Sequence, residues 1–492
     1  MNTSKRHWLP GLVAILLLIG VPVWYFTSAD EAVRDTPWEF MPKRAAHVDH
    51  KDLYKGEFTT GPEVTAACLE CHEDAGDQVL HTAHWRWESK AVEVEGREGL
   101  ISTGKKNTIN NFCIGIQGNW AKCTSCHAGY GWEDENFDFE NPGNIDCLAC
   151  HDNSGTYVKG LAGVPVEGVD LMAAAKSVAV PTRENCGGCH FRGGGGNAVK
   201  HGDLDESLYY PSGEIDVHMG RYDFLCVDCH QTEDHVIGGR SISVSVDNEN
   251  QIACTDCHNP KLHVDARINA HTDTLACQTC HIPEVAVKQA TKTHWDWSTA
   301  GNDEIEEDVH HYLKIKGTFI YQRNLQPEYR WYNGLADRYL LGDPVSSEGA
   351  TPLNKPKGDI RDPDARIWPF KIHHAKQPYD ADLNYLLQPV TSGEGGFWNE
   401  FKWDQALRLG ADVTGLPYSG EYGFAETDMF WPQTHMVAPK NRALQCQVCH
   451  AEDGRMDWKA LGYDGDPIKQ GSQSRKRTPA LQAQQQQGAD HE

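Results

Sequence analysis

Residues 110–127, NNFCIGIQGNWAKCTSCH, contain the pattern on which the interpretation of the whole chain rests. The stretch ends in a Cys-x-x-Cys-His motif that runs from Cys123 to His127. In such a motif both thiols form thioethers to one edge of a porphyrin, and the histidine becomes an axial ligand of the haem iron. The stretch therefore predicts a covalently attached c-type haem.

The same motif occurs eight times and uses all but one of the 17 cysteines. Zinc knuckles and disulfides explain these pairs poorly, because a histidine follows every pair at once. We predict eight haems c attached through Cys68, Cys71, Cys123, Cys126, Cys147, Cys150, Cys186, Cys189, Cys226, Cys229, Cys254, Cys257, Cys277, Cys280, Cys446 and Cys449. The proximal iron ligands are then His72, His127, His151, His190, His230, His258, His281 and His450.

Seven of the motifs lie between Cys68 and His281, which leaves few residues for each haem. Side chains alone cannot form an ordinary core at that density, so the haems must supply much of it. We expect a multihaem cytochrome c fold, mainly α with extensive irregular loops, organised around eight packed c-type haems. Its stability should depend on the attached cofactor.

The chain has a formal net charge of -25. This acidic balance argues against binding to nucleic acid or to anionic membrane surfaces, and it favours a basic redox partner. A site for an anionic substrate would need lysines or arginines close by.

The segment 1–29 indicates export. Lys5 and Arg6 precede an uncharged apolar run from Trp8 to Phe26, which is typical of a signal peptide or of an N-terminal membrane anchor. In either case the body of the protein is periplasmic, and a retained segment would tether it to the inner membrane. Bacteria attach c-type haems outside the cytoplasmic membrane, and this agrees with a periplasmic location.

The remaining chain divides by composition and motif spacing. We predict a haem-rich core with haems 1–7 in residues 30–295. Residues 296–440 form an elaborating region whose helices, including one near Phe397 to Leu409, pack on the haem body. Residues 441–470 carry the eighth haem, and the low-complexity tail 471–492 is predicted to be disordered.

A haem with two histidine ligands carries electrons and has no open site, so an enzyme needs one haem that differs. The chain has 25 histidines. We consider eight histidines outside the motifs to be the better candidates for distal ligands. They are His84, His201, His218, His235, His271, His294, His374 and His435.

Cys113 is the cysteine that no motif uses, and it precedes the second motif. It is either a buried inert thiol or a thiol held near the second haem, where it attacks or carries sulfur. The run Gly193 to Gly196 is either a flexible surface loop or a place where the backbone passes close to a haem or a substrate.

Together, the eight motifs, NNFCIG before the second motif and GGGGNAVKHGDLD resemble the octahaem tetrathionate reductases. That family is similar to the hydroxylamine oxidoreductases and the multihaem nitrite reductases. The resemblance covers the chain from about Asp49 to about Trp458. It implies that the second haem is catalytic and that a lysine amine is its distal ligand. Lys200 matches this lysine, Asn110 and Cys113 match the family's asparagine and cysteine, and Asp216 matches its aspartate.

Three functions agree with these features. The first is reduction of tetrathionate to thiosulfate at the second haem, with electrons relayed through seven haems that each have two histidine ligands. The second is reduction of nitrite or hydroxylamine at the same haem. The third is an electron conduit without catalysis. The electron donor would be a quinol dehydrogenase or a small cytochrome. No motif is Cys-x-x-Cys-Lys, which many multihaem nitrite reductases contain.

Overall fold

The computed structural model describes residues 16, 18, 44, 47–94, 96–112, 115–247 and 249–470. The chain divides into two compact units, one of Met1–Lys43 with Ala253–Thr274 and one of Arg44–Ile252 with Leu275–Glu492. Apart from Leu16 and Leu18, the predicted signal or anchor segment lies outside the described residues, and so does the predicted tail 471–492. Among the residues that are described, no helix is long and apolar enough to cross a bilayer.

Short helices dominate the part of the chain that carries the first seven motifs. The helices of the larger unit are α1 Gly61–Leu69, α2 Ala75–Leu80, α3 Ala83–Arg86, α4 Trp120–Cys123, α5 Leu148–His151, α6 Leu171–Lys176, α7 Arg183–His190, α8 Val217–Arg221, α9 Cys226–Cys229, α11 Cys277–His281, α12 Phe397–Glu400, α13 Trp403–Thr414, α14 Cys446–His450 and α15 Pro467–Gln470. In the smaller unit, α10 is Ala266–His271.

Many of these helices contain a Cys-x-x-Cys-His motif or end in one. The reason is geometric: residues at i, i+3 and i+4 share one face of a helix, so a single turn presents both thiols and the imidazole together. α1 leads into the first motif and begins at a capping box. There the Thr60 hydroxyl accepts from the backbone N–H of Glu63, and the Glu63 carboxylate accepts from the N–H of Thr60.

The largest element is a seven-stranded sheet in residues 291–432. Its order is β6-β7-β5-β10-β11-β9, and β8 also pairs with β10. The strands are β5 Thr291–Asp296, β6 Tyr312–Leu313, β7 Gly317–Gln322, β8 Glu328–Tyr332, β9 Thr351–Pro352, β10 Arg366–Asp380 and β11 Tyr422–Pro432. Two short hairpins lie outside it, formed by β1 Val92–Glu93 with β2 Leu100–Ile101 and by β3 Thr232–Glu233 with β4 Val236–Ile237.

β10 is the central strand. It pairs antiparallel with β11 from Phe370↔Pro432 to Asp380↔Tyr422 and parallel with β5 around His374↔His294. β10 contains Pro369 and Pro378, and neither lies among the three residues, His374 to Lys376, that pair with β5. Proline cannot donate to a ladder, so these positions away from the doubly paired segment suit it.

The main hydrophobic core lies on this sheet and is rich in aromatic side chains, among them Trp295, Phe370 and Trp431. The prediction of a mainly α chain is therefore not confirmed. The helix expected near Phe397 to Leu409 is present as α12 and α13, but most of the regular secondary structure around it is strand. The aromatic and β-branched residues of β10 and β11 favour strands, and pairing between these distant segments decides their structure.

Around the motifs the clusters of buried side chains are smaller. Trp87, Ile116 and Trp132 pack with both cysteines of the second motif. Val64, Leu148 and Leu171 pack with Cys68 of the first motif. Small clusters that include motif cysteines agree with a core to which the cofactors contribute.

Candidate functional site

The second motif ends in a histidine that is enclosed by aromatic rings. His127 has no exposed surface, and its ring centre lies 5.0 Å from that of Trp85, 5.5 Å from Trp87 and 4.8 Å from Trp132. Its Nδ1 atom is buried and has no hydrogen-bond partner among the described residues. Burial lowers the pKa of His127 to about 4, so the imidazole is neutral, the form that binds a metal.

Several motifs touch each other through their cysteines. The Sγ atoms of Cys126 in the second motif and Cys189 in the fourth are within hydrogen-bonding reach. Cys186 of the fourth motif approaches Cys226 of the fifth in the same way. Haems attached at these three motifs would be close neighbours, which is the arrangement that electron transfer between them requires.

Three motif histidines lie opposite a second histidine. The ring centres are 6.3 Å apart for His50 and His72, 6.0 Å for His84 and His190, and 6.2 Å for His230 and His435. An iron that binds one nitrogen of each imidazole at about 2 Å separates the ring centres by about 6 Å.

The outer nitrogens of these histidines also fit an iron site. Nδ1 of His50 lies 2.7 Å from the carbonyl oxygen of Val48, and Nδ1 of His230 lies 2.7 Å from that of Gly238. A ligating histidine commonly donates its second N–H to such an oxygen, which fixes the ring and leaves Nε2 for the metal. The residues present therefore fit haem c. The sequence analysis does not name His50 as a distal ligand, because no local sequence pattern distinguishes it from the other histidines.

The other predicted distal ligands have different surroundings, and their ligand role stays a prediction. Nδ1 of His235 lies 2.8 Å from Oε1 of Gln78, and Nδ1 of His271 lies 2.6 Å from the carbonyl of Arg267 within the smaller unit. His218 lies in α8 beside Phe224, and His201 meets the Trp431 ring edge-on.

His294 and His374 are neighbours on the sheet, with ring centres 4.9 Å apart. Nδ1 of His374 lies 2.6 Å from a carboxylate oxygen of Asp428, and this hydrogen bond raises the pKa of His374. His294 and His374 thus contact each other, and His374 also contacts the carboxylate of Asp428.

Lys200 has a buried amine. Its Nζ lies 4.5 Å from the centre of the Trp431 ring. Burial lowers the pKa of Lys200 to about 8, and the positive charge of Lys105 contributes. Lys105, whose Nζ lies over the Trp87 ring, also acts on the pKa of His127. Lys105 is a second cation near the second motif that the sequence analysis does not single out.

The glycine run brings Lys200 and the segment before Cys113 together. Gly194 has φ +81°, and a Cβ there would lie 3.0 Å from Val199 and 3.2 Å from the Phe112 ring. A Cβ on Gly193 would lie 3.3 Å from Cδ of Lys200. The backbone therefore passes close to the protein's own side chains. Cys113 lies outside the described residues, so its predicted role stays a prediction.

Asn110, Asn111 and Phe112 are the three residues before Cys113. Oδ1 of Asn110 accepts from the backbone N–H of Phe112 at 2.9 Å. The next side chain, Asn111, is buried, and its amide donates to the carbonyl of His373 at 2.9 Å and to that of Thr427 at 3.3 Å. The segment is thereby fixed to β10 and β11.

Asp216 is buried and caps α8. One carboxylate oxygen accepts from the backbone N–H groups of His218 and Met219, and the other accepts from Val437. These bonds give Asp216 a structural task, and its predicted role beside Lys200 stays a prediction.

Asp203, in contrast, is a buried acid that the sequence analysis does not identify. It accepts from the backbone N–H groups of Thr434 and His435. Burial would raise the pKa of Asp203, but the hydrogen bond and charge of His435, with the backbone donors, lower it to about 2. Asp203 therefore holds the histidine that lies opposite His230.

Two family models match parts of the chain. A model described as bacterial cytochrome c matches residues 292–453, and one described as cytochrome c7 and related cytochrome c matches residues 212–282. An uncharacterized protein of Archaeoglobus fulgidus is 28% identical over 246 residues, covering 40% of this chain and 82% of that protein.

The crystal structure of octahaem cytochrome c from Shewanella oneidensis superposes on this structure with a TM-score of 0.82. The two sequences are 47% identical, and the alignment covers 87% of this chain and 100% of the Shewanella chain. This level of identity along the whole of a solved chain shows that the two proteins share the fold. It also supports covalently bound c-type haem in this chain. Since this chain also carries eight attachment motifs, it belongs to the octahaem cytochromes c.

Proposed function

We propose that this protein is an exported, periplasmic reductase that reduces tetrathionate to thiosulfate at its second haem. The observation that carries the proposal is the position of Lys200. Its side chain packs on Gly193, the adjacent Gly194 packs on Phe112, and Phe112 directly precedes Cys113. A lysine binds iron only as the neutral amine, and a pKa of about 8 makes that form accessible.

When attached, the c-type haem would supply one-electron transfer and an iron to which an amine or a substrate could bind. Lys200 approaches from the glycine run, and Asn110 and Cys113 come from the segment that Asn111 fixes to the sheet. The cation of Lys105, joined by Lys200 once its amine leaves the iron and is protonated, offsets the charge of an anionic substrate in a protein whose net charge is -25. This is the local positive charge that an anion site in an acidic protein requires.

The chemistry assigned to Cys113 is thiol–disulfide exchange. Its thiolate attacks a central sulfur of tetrathionate, one sulfur–sulfur bond breaks, and the first thiosulfate leaves. The second thiosulfate stays bound to Cys113 through a new sulfur–sulfur bond. Two electrons from the redox partner cleave this bond, which releases the second thiosulfate and restores the thiolate. A basic quinol dehydrogenase or small cytochrome suits the acidic surface as that partner.

The first test is low-temperature electron paramagnetic resonance of the oxidised protein. Lys200→Leu removes the amine without introducing another iron ligand, so we expect one low-spin haem signal to disappear and a high-spin signal to replace it. Tetrathionate turnover should fall by roughly tenfold or more. Lys376→Met, a lysine of β10 outside the site, is the control and should leave the spectrum unchanged.

If Lys200→Leu leaves every low-spin signal in place, the lysine is not a ligand and the protein is better described as an electron conduit. Cys113→Ala then separates the two enzymatic functions. Loss of tetrathionate turnover with nitrite turnover retained supports the proposal. Retention of tetrathionate turnover would show that Cys113 is not the nucleophile and would overturn the proposed thiol chemistry. Nitrite turnover without tetrathionate turnover in the wild type would assign the site to nitrogen chemistry.

A further inference from the structure

The backbone around Lys200 is fixed by two side chains from the sheet. Nζ of Lys371 on β10 donates to the carbonyl oxygens of Val199 at 2.8 Å and of Lys200 at 3.0 Å. Its third bond, at 2.6 Å, goes to the hydroxyl of Thr291 on β5. Nζ of Lys371 therefore has three polar partners, two of them in the Lys200 segment.

Thr291 extends this arrangement to the neighbouring residues. Its Oγ1 lies 2.7 Å from the carbonyl oxygen of Ala198 and 3.1 Å from that of His201. A hydroxyl has one proton, so it donates to one of these oxygens at a time, while it accepts from Lys371. Lys371 therefore holds the carbonyls of Val199 and Lys200, and Thr291 holds that of Ala198 or that of His201. We call Lys371 and Thr291 the backbone clamp.

The held segment is strained. Ala198 has φ +58°, in the left-handed region that residues other than glycine rarely adopt. Such a conformation is unfavourable and persists only where the surroundings determine it. The clamp, together with the bond from the N–H of Ala198 to the carbonyl of Phe191, supplies those surroundings.

Burial of the polar groups of the backbone clamp also costs free energy. Thr291 has no exposed surface, and Lys371 is 3% exposed on a strand whose neighbouring side chains are aromatic. A buried amino group is tolerated there only when it is hydrogen-bonded. All of its bonds go to the Lys200 segment or to Thr291, which also contacts that segment.

The same strand fixes the other side of the site. Residues two apart on a strand point to one face, and His373 lies two residues after Lys371. Nδ1 of His373 lies 3.0 Å from Oδ1 of Asn111, and its carbonyl accepts from the Asn111 amide. One face of β10 thus holds both the segment before Cys113 and the segment that carries Lys200.

We infer that Lys371, with Thr291, is a positioning residue that fixes the backbone on both sides of Lys200 and so directs its amine to the iron of the second haem. The inference rests on the proposed function, because it assumes that Lys200 is a haem ligand. Lys371 itself touches neither substrate nor iron. Its contribution is to keep the Lys200 amine close to one position, which makes the amine a stronger intramolecular ligand.

The test uses the full holoprotein with cyanide as a competing iron ligand. Lys371→Met keeps the length of the side chain but removes all three donors. We expect cyanide to bind the second haem roughly tenfold more tightly than in the wild type, since a less restrained amine competes less well. The low-spin signal of that haem should shift or broaden, and the signals of the other haems should not change.

Lys376→Met on the same strand is the matched control. Thr291→Val, which removes the hydroxyl at nearly constant shape, should give the same effect as Lys371→Met, and Thr291→Ser should restore the wild-type behaviour. The valine and serine pair decides the question if Lys371→Met does not assemble.

Two results would overturn the inference, and they are distinguishable from failure of the proposed function. If Lys200→Leu changes the spectrum but Lys371→Met and Thr291→Val leave cyanide affinity and spectrum at wild-type values, the clamp has no positioning role. If both clamp variants lower stability and disturb all haem signals equally, their role is only structural. If Lys200→Leu itself has no spectral effect, the proposed function has failed first.

Discussion

Single buried residues in this protein are held by specific polar partners. Asp146, just before the third motif, is 2% exposed and is a good example. It accepts from the hydroxyl of Tyr130 at 2.8 Å and from that of Tyr157 at 2.9 Å, and it forms an ion pair with Lys159. A buried carboxylate with three such partners stabilises one arrangement of the surrounding backbone.

This cluster predicts a loss of stability at alkaline pH. Burial, and then the charge of Asp146, raises the pKa of both Tyr130 and Tyr157 well above the usual value. Above pH 10 the unfolded chain releases these protons and the folded protein keeps them. The free energy of unfolding should therefore fall by about 1.4 kcal/mol per pH unit for each tyrosine.

Denaturant unfolding of the holoprotein between pH 8 and pH 11 measures this dependence. In Tyr157→Phe one titrating group is removed, so the alkaline decline should be shallower than in the wild type. Tyr422→Phe, at the exposed start of β11, is the control and should keep the wild-type slope. Equal slopes in all three proteins would contradict the assignment of the decline to this cluster.

Among the elements, the glycine run shows most directly how local backbone geometry forms the site. Gly194 combines a positive φ with close approach to Phe112 and Val199, whereas a Cβ on Gly196 would meet only Val199, at an ordinary 3.4 Å. Two glycines of one run therefore have different tolerance to a side chain.

Gly194→Ala should lower the free energy of unfolding by about 1–3 kcal/mol, because it adds backbone strain and a steric clash. It should also disturb the low-spin signal of the second haem, since it separates the Phe112 and Lys200 segments. Gly196→Ala should be close to wild type in both measurements. Identical behaviour of the two variants in denaturant unfolding and paramagnetic resonance would contradict this account.

In the whole molecule, two kinds of core coexist. The sheet of residues 291–432 packs on a large cluster of aromatic side chains, while the clusters around the motifs are small and include the motif cysteines themselves. We expect the first kind of core to form without a cofactor and the second to depend on the attached porphyrin.

Protein produced without haem attachment should therefore be folded in the sheet and largely unfolded around the first seven motifs. Hydrogen exchange followed by mass spectrometry should find slow amides in β10 and β11 and fast exchange in residues 61–281. In the holoprotein both regions should be protected. Equal protection of residues 61–281 with and without haem would show that side chains suffice for that core.

Much of the chemistry is predictable from local sequence. The eight motifs identify the cofactor, because attachment needs two thiols and an imidazole within five consecutive residues, a spacing that is visible in the chain. The fold class was predicted less well: β10 and β11 are brought together by pairing between segments that lie far apart, and local composition does not reveal such pairing.

The site divides in the same way. Lys200 could be named from a resemblance between short segments, but the residues that hold it could not. Lys371 is 171 positions away and Thr291 lies 93 positions from Ala198, and neither stands in a recognisable motif. Cofactor attachment depends on neighbours in the chain, and the sequence therefore determines it. Positioning of the amine depends on hydrogen bonds across a sheet, and only the tertiary structure decides which residues make them.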